Sequence, residues 1–149
     1  MDILAQKDTR VQVVAPGVTV LEATLLMNRL HIGALVVTAG GREGDIESER
    51  VVGMFTERDV LTRVVAERRD PAATRVEEVM TAVVAFCRLE TDVEEVASVM
   101  QKRRIRHLPV CDDDGHLLGM VSIGDVNAWH ARGQDATIHY LHEYIHGRV

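Results

Sequence analysis

The phrase GMFTERDV at residues 53–60 returns as GMVSIGDV at residues 119–126. Thr56 of the first copy is replaced by Ser122 in the second, and each hydroxyl residue is followed three positions later by an aspartate. A hydroxyl residue with a carboxylate three residues on is typical of a capping box at the start of a helix. The duplicated phrase therefore predicts two strand-to-helix junctions of the same design.

The repeat extends upstream of this phrase. Residues 20–37, VLEATLLMNRLHIGALVV, align with residues 93–110, VEEVASVMQKRRIRHLPV, at an offset of 73 residues. The phrases that begin at 53 and 119 are only 66 residues apart. The difference arises in one loop, which is TAGGREGDIESER in the first copy and only CDDDGH in the second. An offset that changes only at a loop indicates an internal repeat.

Each copy is expected to fold as β-α-β-β-α. Apolar residues at helical spacing predict helices at 20–30 and 58–68, and short apolar runs between turn-forming residues predict strands. Thr19 with Glu22, and Asp92 with Glu95, predict capping boxes at the first helix of each copy. The strands are expected at 11–16, 34–37, 51–55, 82–87, 107–110 and 117–121, and the last helix of the second copy at 124–131.

These patterns divide the chain into three parts, which are residues 2–70, 76–131 and 132–149. A connector that contains Pro71 joins the first two. A unit of about 60 residues buries too little surface to be stable alone, so we expect the two copies to pack on each other. In the third part, the apolar residues Ile138, Leu141 and Ile145 predict an amphipathic helix over 135–147.

Composition excludes several classes of protein. Apolar residues make up 46% and charged residues 27% of the chain, as in ordinary globular domains. The net charge is −6 and the basic residues gather only at 102–107, so nucleic-acid binding is not expected. The sequence shows neither a membrane-spanning run nor a signal peptide, which favours a cytoplasmic location. Cys87 and Cys111 have no metal-ligand spacing and are expected to be buried thiols.

The repeat resembles a tandem pair of CBS (cystathionine-β-synthase) domains, of the stand-alone bacterial type. The resemblance covers roughly residues 2–131 and is carried by IGALVV, RHLPV, the twin phrases and VEEVMTAVVAFC at the start of the second unit. It implies an α/β (α+β) fold in which two units pack about a pseudo-two-fold axis. It also implies a regulatory role, frequent homodimerisation, and two clefts for adenosine-containing ligands such as AMP, ADP, ATP, S-adenosylmethionine or NAD-type dinucleotides.

The same resemblance assigns ligand-binding roles to the twin phrases. It implies that Asp59 and Asp125 hold ribose, with Thr56 and Ser122 beside them. The capping boxes explain these residues equally well, and both roles can coexist because each carboxylate has two oxygens.

Phosphate is expected near arginine, because a guanidinium matches phosphate oxygens. Arg58 corresponds to Gly124 and Gly33 to Arg106, so each cleft is expected to have one arginine: Arg58 beside Asp59, and Arg106 with His107 beside Asp125. The alternative for the basic run is a solvated surface or a subunit contact. Lys7 is a further phosphate candidate. By family placement, the base would be walled by apolar side chains that are otherwise ordinary core residues, namely Met54, Met120, Ile32, Val11, Ile105 and Val84.

The sequence offers three alternatives to nucleotide binding, namely catalysis, metal binding and a pure interaction module. No nucleophile, base and orienting group stand together in the sequence, so we expect neither catalysis nor a required cofactor. His139, His142 and His146 share one face of the terminal helix, near His130 in sequence, and could bind zinc or nickel. The third alternative is an interaction and dimerisation module with empty clefts that binds a partner protein.

Overall fold

The computed structural model describes residues 11–41, 49–82 and 85–133. The first unit consists of β1 (Val13–Val14), α1 (Val20–Leu30), β2 (Ala34–Thr38), β3 (Val51–Thr56) and α2 (Glu57–Asp59), which runs into a π-helical segment (Val60–Val65). The linker contains α3 (Val76–Val79) and β4 (Thr81–Ala82). The second unit contains α4 (Val93–Arg103), β5 (His107–Cys111), β6 (Leu117–Ser122) and a helix α5 over 123–133.

The first unit forms a four-stranded sheet in the order β1-β2-β3-β4. Strand β1 is parallel to β2, as expected when a helix connects them, and the other neighbours are antiparallel. The second unit repeats this pairing with β5 and β6, and Cys87 forms a parallel bridge with Val110. That bridge is the counterpart of the pairing between Val14 and Val37. The expected β-α-β-β-α order is therefore present in both units.

The strand expected at 82–87 is divided between the two units. Ala82 belongs to β4 and pairs with Gly53 of the first sheet, whereas Cys87 bridges to Val110 of the second. Residues 83 and 84 lie outside the described chain. The linker thus completes the first sheet before it starts the second.

The first helices of the two units end in the same way but begin differently. Each ends in a left-handed residue, His31 or Arg104, with φ 54° and ψ 43°. Thr19 forms the predicted capping box with Glu22. The predicted box at Asp92 is wrong, because Asp92 occupies the N-cap position without a side-chain capping bond in the described residues. Asp92 is followed by Glu94 and Glu95 in the first turn of α4, so its carboxylate faces like charges, whereas Thr19 is uncharged.

The helix expected at 58–68 is not a regular α-helix. After three α-helical residues the chain continues as a π-helical segment, in which Ala66 N–H donates to Leu61 O at 3.0 Å. The counterpart in the second unit is α-helical over 123–133. Hydrophobic periodicity over one or two turns does not separate these two helix types.

Three clusters of buried apolar side chains stabilise the structure, two within the units and one between them. One lies in each unit, beneath α1 and beneath α4. The third, which we call the seam, contains residues of both units: Val13, Ala34, Val36, Met54 and Leu117, with Val11, Val51 and Met120 packed against them.

Beside the seam, Arg50 and His116 form an antiparallel bridge, and Leu117 N–H donates to Glu49 O at 3.0 Å. Arg50 and His116 occupy equivalent places in the two copies. The pseudo-two-fold axis therefore passes between them, which confirms the expected packing of the units.

Candidate functional site

The first twin phrase lies where β3 ends and α2 begins. Asp59 N–H donates to Thr56 Oγ1 at 3.4 Å, and Thr56 N–H donates to Asp59 Oδ2 at 3.0 Å. This reciprocal pair is the predicted capping box. Glu57 N–H donates to Gly33 O at 3.1 Å, so the start of β2 is tied to the same junction.

The second phrase builds the same junction between β6 and α5. Ser122 N–H donates to Asp125 Oδ2 at 2.8 Å, and Asp125 N–H donates to Ser122 Oγ at 3.1 Å. Ile123 N–H donates to Arg106 O at 2.8 Å, and His107 is the register partner of Ser122. The backbone of Arg106 and His107 thus lies next to the Ser122–Asp125 box, and the ligand-binding roles of the two residues stay predictions.

The two carboxylates differ in exposure. Asp59 is only 3% exposed, and its Oδ1 accepts a hydrogen bond from Thr81 Oγ1 at 2.9 Å. Its Oδ2 accepts from both the amide and the hydroxyl of Thr56, and Arg63 Nε lies 3.8 Å from Oδ1. Asp125 is half-buried. A sugar at Asp59 would have to displace the Thr81 hydroxyl, whereas Asp125 is closer to solvent.

Sequence reasoning missed Thr81 and Arg63 as neighbours of Asp59. Thr81 lies in VEEVMTAVVAFC, which the sequence analysis placed at the start of the second unit, so nothing linked it to the first junction. Arg63 follows Asp59 by four residues, a spacing that permits an ion pair on a helix. That spacing was the one available signal.

Arg58 reaches from the first unit to the second. Its Nη1 donates to the carbonyl oxygen of Arg104 at 3.1 Å, at the C-terminal end of α4. Carbonyls at a helix C-terminus are unpaired and carry partial negative charge, which suits a guanidinium. The counterparts of Arg58 and Arg104 across the pseudo-two-fold axis are Gly124 and His31, so the side chain for an equivalent contact is missing there. Arg58 therefore lies beside the basic run at 102–107.

The apolar candidates separate into two groups. Met54, Met120 and Val11 belong to the seam between the units. Ile32 packs on the core of the first unit and Ile105 on the core of the second. Lys7 and Val84 lie outside the described residues.

The terminal histidines His139, His142 and His146, and the helix predicted around them, also lie outside the described residues. The neighbouring His130 is described, and its Nε2 lies 2.6 Å from Glu94 Oε1.

A different group of residues with metal-ligating side chains lies in the turn between β5 and β6. Ligand atoms of Asp112, Asp114 and His116 lie within 4.8 Å of one another. Asp112 Oδ1 accepts hydrogen bonds from the backbone N–H groups of His116 and Asp114. These hydrogen bonds lower the pKa of Asp112. The alternating spacing in CDDDGH was the signal for this cluster. Its hydrogen bonds are those of a closed turn.

The two cysteines are buried thiols, as expected. Cys87 and Cys111 lie on neighbouring strands, and burial raises the pKa of each to about 11. A thiol with such a pKa stays protonated at neutral pH and is a poor nucleophile.

An open groove of about 600 Å³ lies away from the seam, between α1 and the helix that follows β3. Its lining combines apolar and polar side chains: Thr24, Met27, Asn28, His31, Ile32, Glu57, Val60, Leu61 and Val65. In the described part of the chain, the helices are too short or too polar to cross a membrane.

Comparison with known proteins places these features in a family. The family model for the CBS domain matches residues 7–66 and 76–130. The chain is 35% identical over 131 residues to CBS domain-containing protein CBSX3, mitochondrial, from Arabidopsis thaliana, covering 87% of this chain and 61% of that protein. The chain thus spans about three fifths of the length of this relative.

Solved structures give the same relationship. A protein with CBS domains from Burkholderia ambifaria is 39% identical, with a TM-score of 0.73 over 84% of this chain and 88% of that one. The CBS domain protein PAE2072 from Pyrobaculum aerophilum, solved as a complex with AMP, is 27% identical, with a TM-score of 0.68 over 80% of this chain and 84% of that one.

Proposed function

Because this chain belongs to the CBS domain family, we propose that it is a regulatory module that binds an adenosine-containing nucleotide between its two units. The proposal includes a cytoplasmic, non-catalytic homodimer that requires no cofactor. PAE2072, which shares the fold, was solved in complex with AMP, and this supports an adenosine-containing ligand for the present chain.

One observation carries the proposal. The half-buried Ser122–Asp125 box adjoins the backbone of Arg106 and His107, so a carboxylate and a hydroxyl lie beside two basic residues at one strand-to-helix junction. A carboxylate accepts hydrogen bonds from ribose hydroxyls, as the acidic residue of dinucleotide-binding folds does. An arginine guanidinium favours phosphate, and a histidine ring N–H can donate a hydrogen bond to it. The proposed ligand therefore has both a ribose and a phosphate.

The Asp59 junction is the weaker candidate for the sugar. Its carboxylate is buried and already accepts hydrogen bonds from Thr56 and Thr81. Ribose binding at Asp59 would gain little free energy, because each new hydrogen bond to the sugar would replace one to Thr56 or Thr81. We propose that the Asp125 junction fills first.

Regulation would follow from the contact between the units. The Arg58 guanidinium bonds to the C-terminal end of α4 in the second unit. A phosphate that binds Arg58 would compete with the Arg104 carbonyl. A ligand that prefers one arrangement of the units shifts the population towards it.

The test is a calorimetric titration of the full chain, freed of metal, with AMP, ADP, ATP, NAD and S-adenosylmethionine. We expect at least one to bind, and to raise the melting temperature in proportion to its affinity. The absence of heat with all five, together with unchanged melting temperatures, would contradict the proposal. It would favour the interaction module with empty clefts.

A further inference from the structure

The groove between α1 and the helix that follows β3, which we call the unit-1 groove, has an exposed apolar wall. Leu61 and Val65 line it and are 65% and 63% exposed. Their counterparts in the second unit are Asn127 and Ala131, so the repeated architecture does not require an apolar surface here. Exposed apolar patches with polar borders mark interaction sites in folded proteins.

The backbone is irregular at the same place. Leu61 and Val65 both belong to the π-helical segment, whereas the second unit continues as an α-helix. Single π-helical turns are uncommon and are frequent at functional sites. The irregular helix and the apolar wall therefore coincide in one unit.

The unit-1 groove also contains polar groups that the described residues do not use. Thr24 Oγ1 is buried in the α1 wall and makes no hydrogen bond within the described part of the chain. The Glu57 carboxylate lies against Gly33, where an added Cβ would be 3.2 Å from Glu57 Cδ, and none of the described residues pairs with it. Ala97 and Ile123 occupy the equivalent positions in the second unit. Because a buried hydroxyl without a partner costs stability, these groups indicate that a further segment binds in the groove.

The sequence after α5 supplies a segment that matches this surface. Within residues 134–149, the apolar residues Ile138, Leu141 and Ile145 repeat at the spacing of one helical face. Histidines alternate with them, and a histidine ring N–H can donate a hydrogen bond to a carboxylate such as that of Glu57. The segment thus offers an apolar stripe with hydrogen-bond donors beside it, which suits an apolar wall with an unpaired acceptor.

The 134–149 segment is long enough to reach the unit-1 groove. Arg58 contacts the Arg104 carbonyl, and the pseudo-two-fold axis relates this pair to Gly124 and His31. The first turn of α5 therefore lies near His31, which lines the groove. From there α5 carries the chain about 16 Å away, and four extended residues span about 13 Å on the way back. The apolar stripe begins directly after such a connection.

We propose that residues 134–149 dock in the unit-1 groove of the same chain, with their apolar stripe against Leu61 and Val65. The segment begins in unit 2 and would be held on unit 1, so docking would restrain the two units in one arrangement. The groove lies away from the seam, and the inference does not depend on nucleotide binding.

The test is a crosslinking experiment on the full-length chain, without nucleotide and with a chelator. Leu61→Cys is combined with Leu141→Cys, and a short bis-maleimide reagent joins thiols that lie close together. The matched control combines Asn127→Cys with Leu141→Cys, because Asn127 is exposed, is the counterpart of Leu61 and is nearer in sequence. Cys87 and Cys111 are buried and stay in place.

We expect the crosslink between positions 61 and 141 to form at least about fivefold faster than the crosslink between 127 and 141, because docking raises the local concentration of one thiol at the other. An undocked segment would meet the nearer position 127 at least as often. Equal rates for the two pairs would therefore overturn the proposal.

Isotope labelling identifies the chain that supplies the segment. Equal amounts of unlabelled and heavy-isotope-labelled Leu61→Cys, Leu141→Cys chains are mixed before crosslinking, and the crosslinked peptides are weighed by mass spectrometry. Docking within one chain gives peptides whose two halves carry the same label. Mixed labels at the level of random pairing would assign the groove to the segment of a second copy and refute same-chain docking.

A second measurement follows the exposure of the groove itself. The Leu61→Cys thiol is alkylated with iodoacetamide in the full-length chain, with and without Leu141→Glu and Ile145→Glu. We expect the two glutamates to raise the rate at least about fivefold, because a docked segment covers the thiol until it opens. The rate for Asn127→Cys should change less than about twofold. An unchanged rate at position 61 would show that the segment does not cover the groove.

Discussion

Thr81 Oγ1 donates a 2.9 Å hydrogen bond to Asp59 Oδ1, so the linker between the two repeats closes the first helix junction. Asp59 is almost completely buried, and Thr81 is its one contact from outside the first repeat among the hydrogen bonds of the described residues. The bond therefore couples the end of unit 1 to the start of the chain that leads into unit 2.

Thr81→Val should lower the free energy of unfolding by about 1–2 kcal/mol, because the buried Asp59 carboxylate loses a hydrogen-bond donor. Valine has nearly the same shape as threonine, so the substitution removes little else. Urea denaturation of both proteins measures this. The matched control is Thr62→Val, whose hydroxyl bonds to the exposed Arg58 carbonyl at 2.7 Å. It should change stability by less than about 0.5 kcal/mol. Equal effects of the two substitutions would show that the Thr81 bond does not stabilise the junction.

Much of this architecture could be predicted from the repeat, and the reason is local. The paired capping boxes at Thr56 and Ser122, and the apolar runs before them, depend on residues within one or two turns of each other. The closure of Asp59 by Thr81 joins residues that are 22 positions apart, and no motif links them. The π-helical turn was missed because its apolar spacing also suits an α-helix. The contact of Arg58 with Arg104 depends on how the units pack.

Asp125→Asn should weaken AMP binding at least about tenfold, because an uncharged amide offers one acceptor oxygen in place of two. Isothermal titration calorimetry measures the dissociation constant. Asp59→Asn is the matched substitution at the closed junction, and we expect it to weaken binding less than about threefold, since Asp59 is buried. A larger effect at Asp59 than at Asp125 would move the sugar to the first junction.

Gly41→Ala should destabilise the fold strongly. Gly41 has φ +59°, and a Cβ there would clash with the backbone of Ala15. The expected loss is about 3 kcal/mol, from strain and overlap together. Gly115→Ala separates the two causes, because Gly115 has φ +83° but open space around it. Its loss should be about 1 kcal/mol. Denaturation midpoints that coincide for the two variants would refute the role of the Ala15 contact.

The buried thiols should be unreactive in the folded protein. The pKa of Cys87 and of Cys111 is raised to about 11, so at pH 8 each has roughly a hundredfold less thiolate than an ordinary cysteine. Iodoacetamide should modify them at least about a hundredfold more slowly in buffer than in urea. A Leu25→Cys chain supplies the control, because position 25 is 58% exposed and a thiol there should react rapidly. Rapid labelling of native Cys87 would contradict the burial.

The raised pKa also has a consequence for stability. An acid that is harder to ionise in the folded state binds more protons there than in the unfolded chain, so the stability falls as pH rises. The contribution of the two thiols is complete below pH 9 and is lost as pH rises towards about 11. Urea midpoints measured from pH 8 to pH 11 should fall, and should fall less in Cys87→Ala. A slope unchanged by that substitution would assign the loss to other groups.

Arg58→Ala should separate phosphate recognition from recognition of the nucleoside. The substitution removes the guanidinium that bonds to Arg104 O, together with one positive charge beside the basic run at 102–107. We expect the affinity for ATP to fall about tenfold and the affinity for adenosine to change less than about twofold, because a charge-assisted bond to phosphate is lost and adenosine has no phosphate. Calorimetry with both ligands measures the ratio. Arg58→Lys keeps the charge but not the planar fork, so it should recover part of the ATP affinity. If adenosine and ATP weaken equally, the role of Arg58 is to hold the two units together through Arg104, and phosphate must be bound elsewhere.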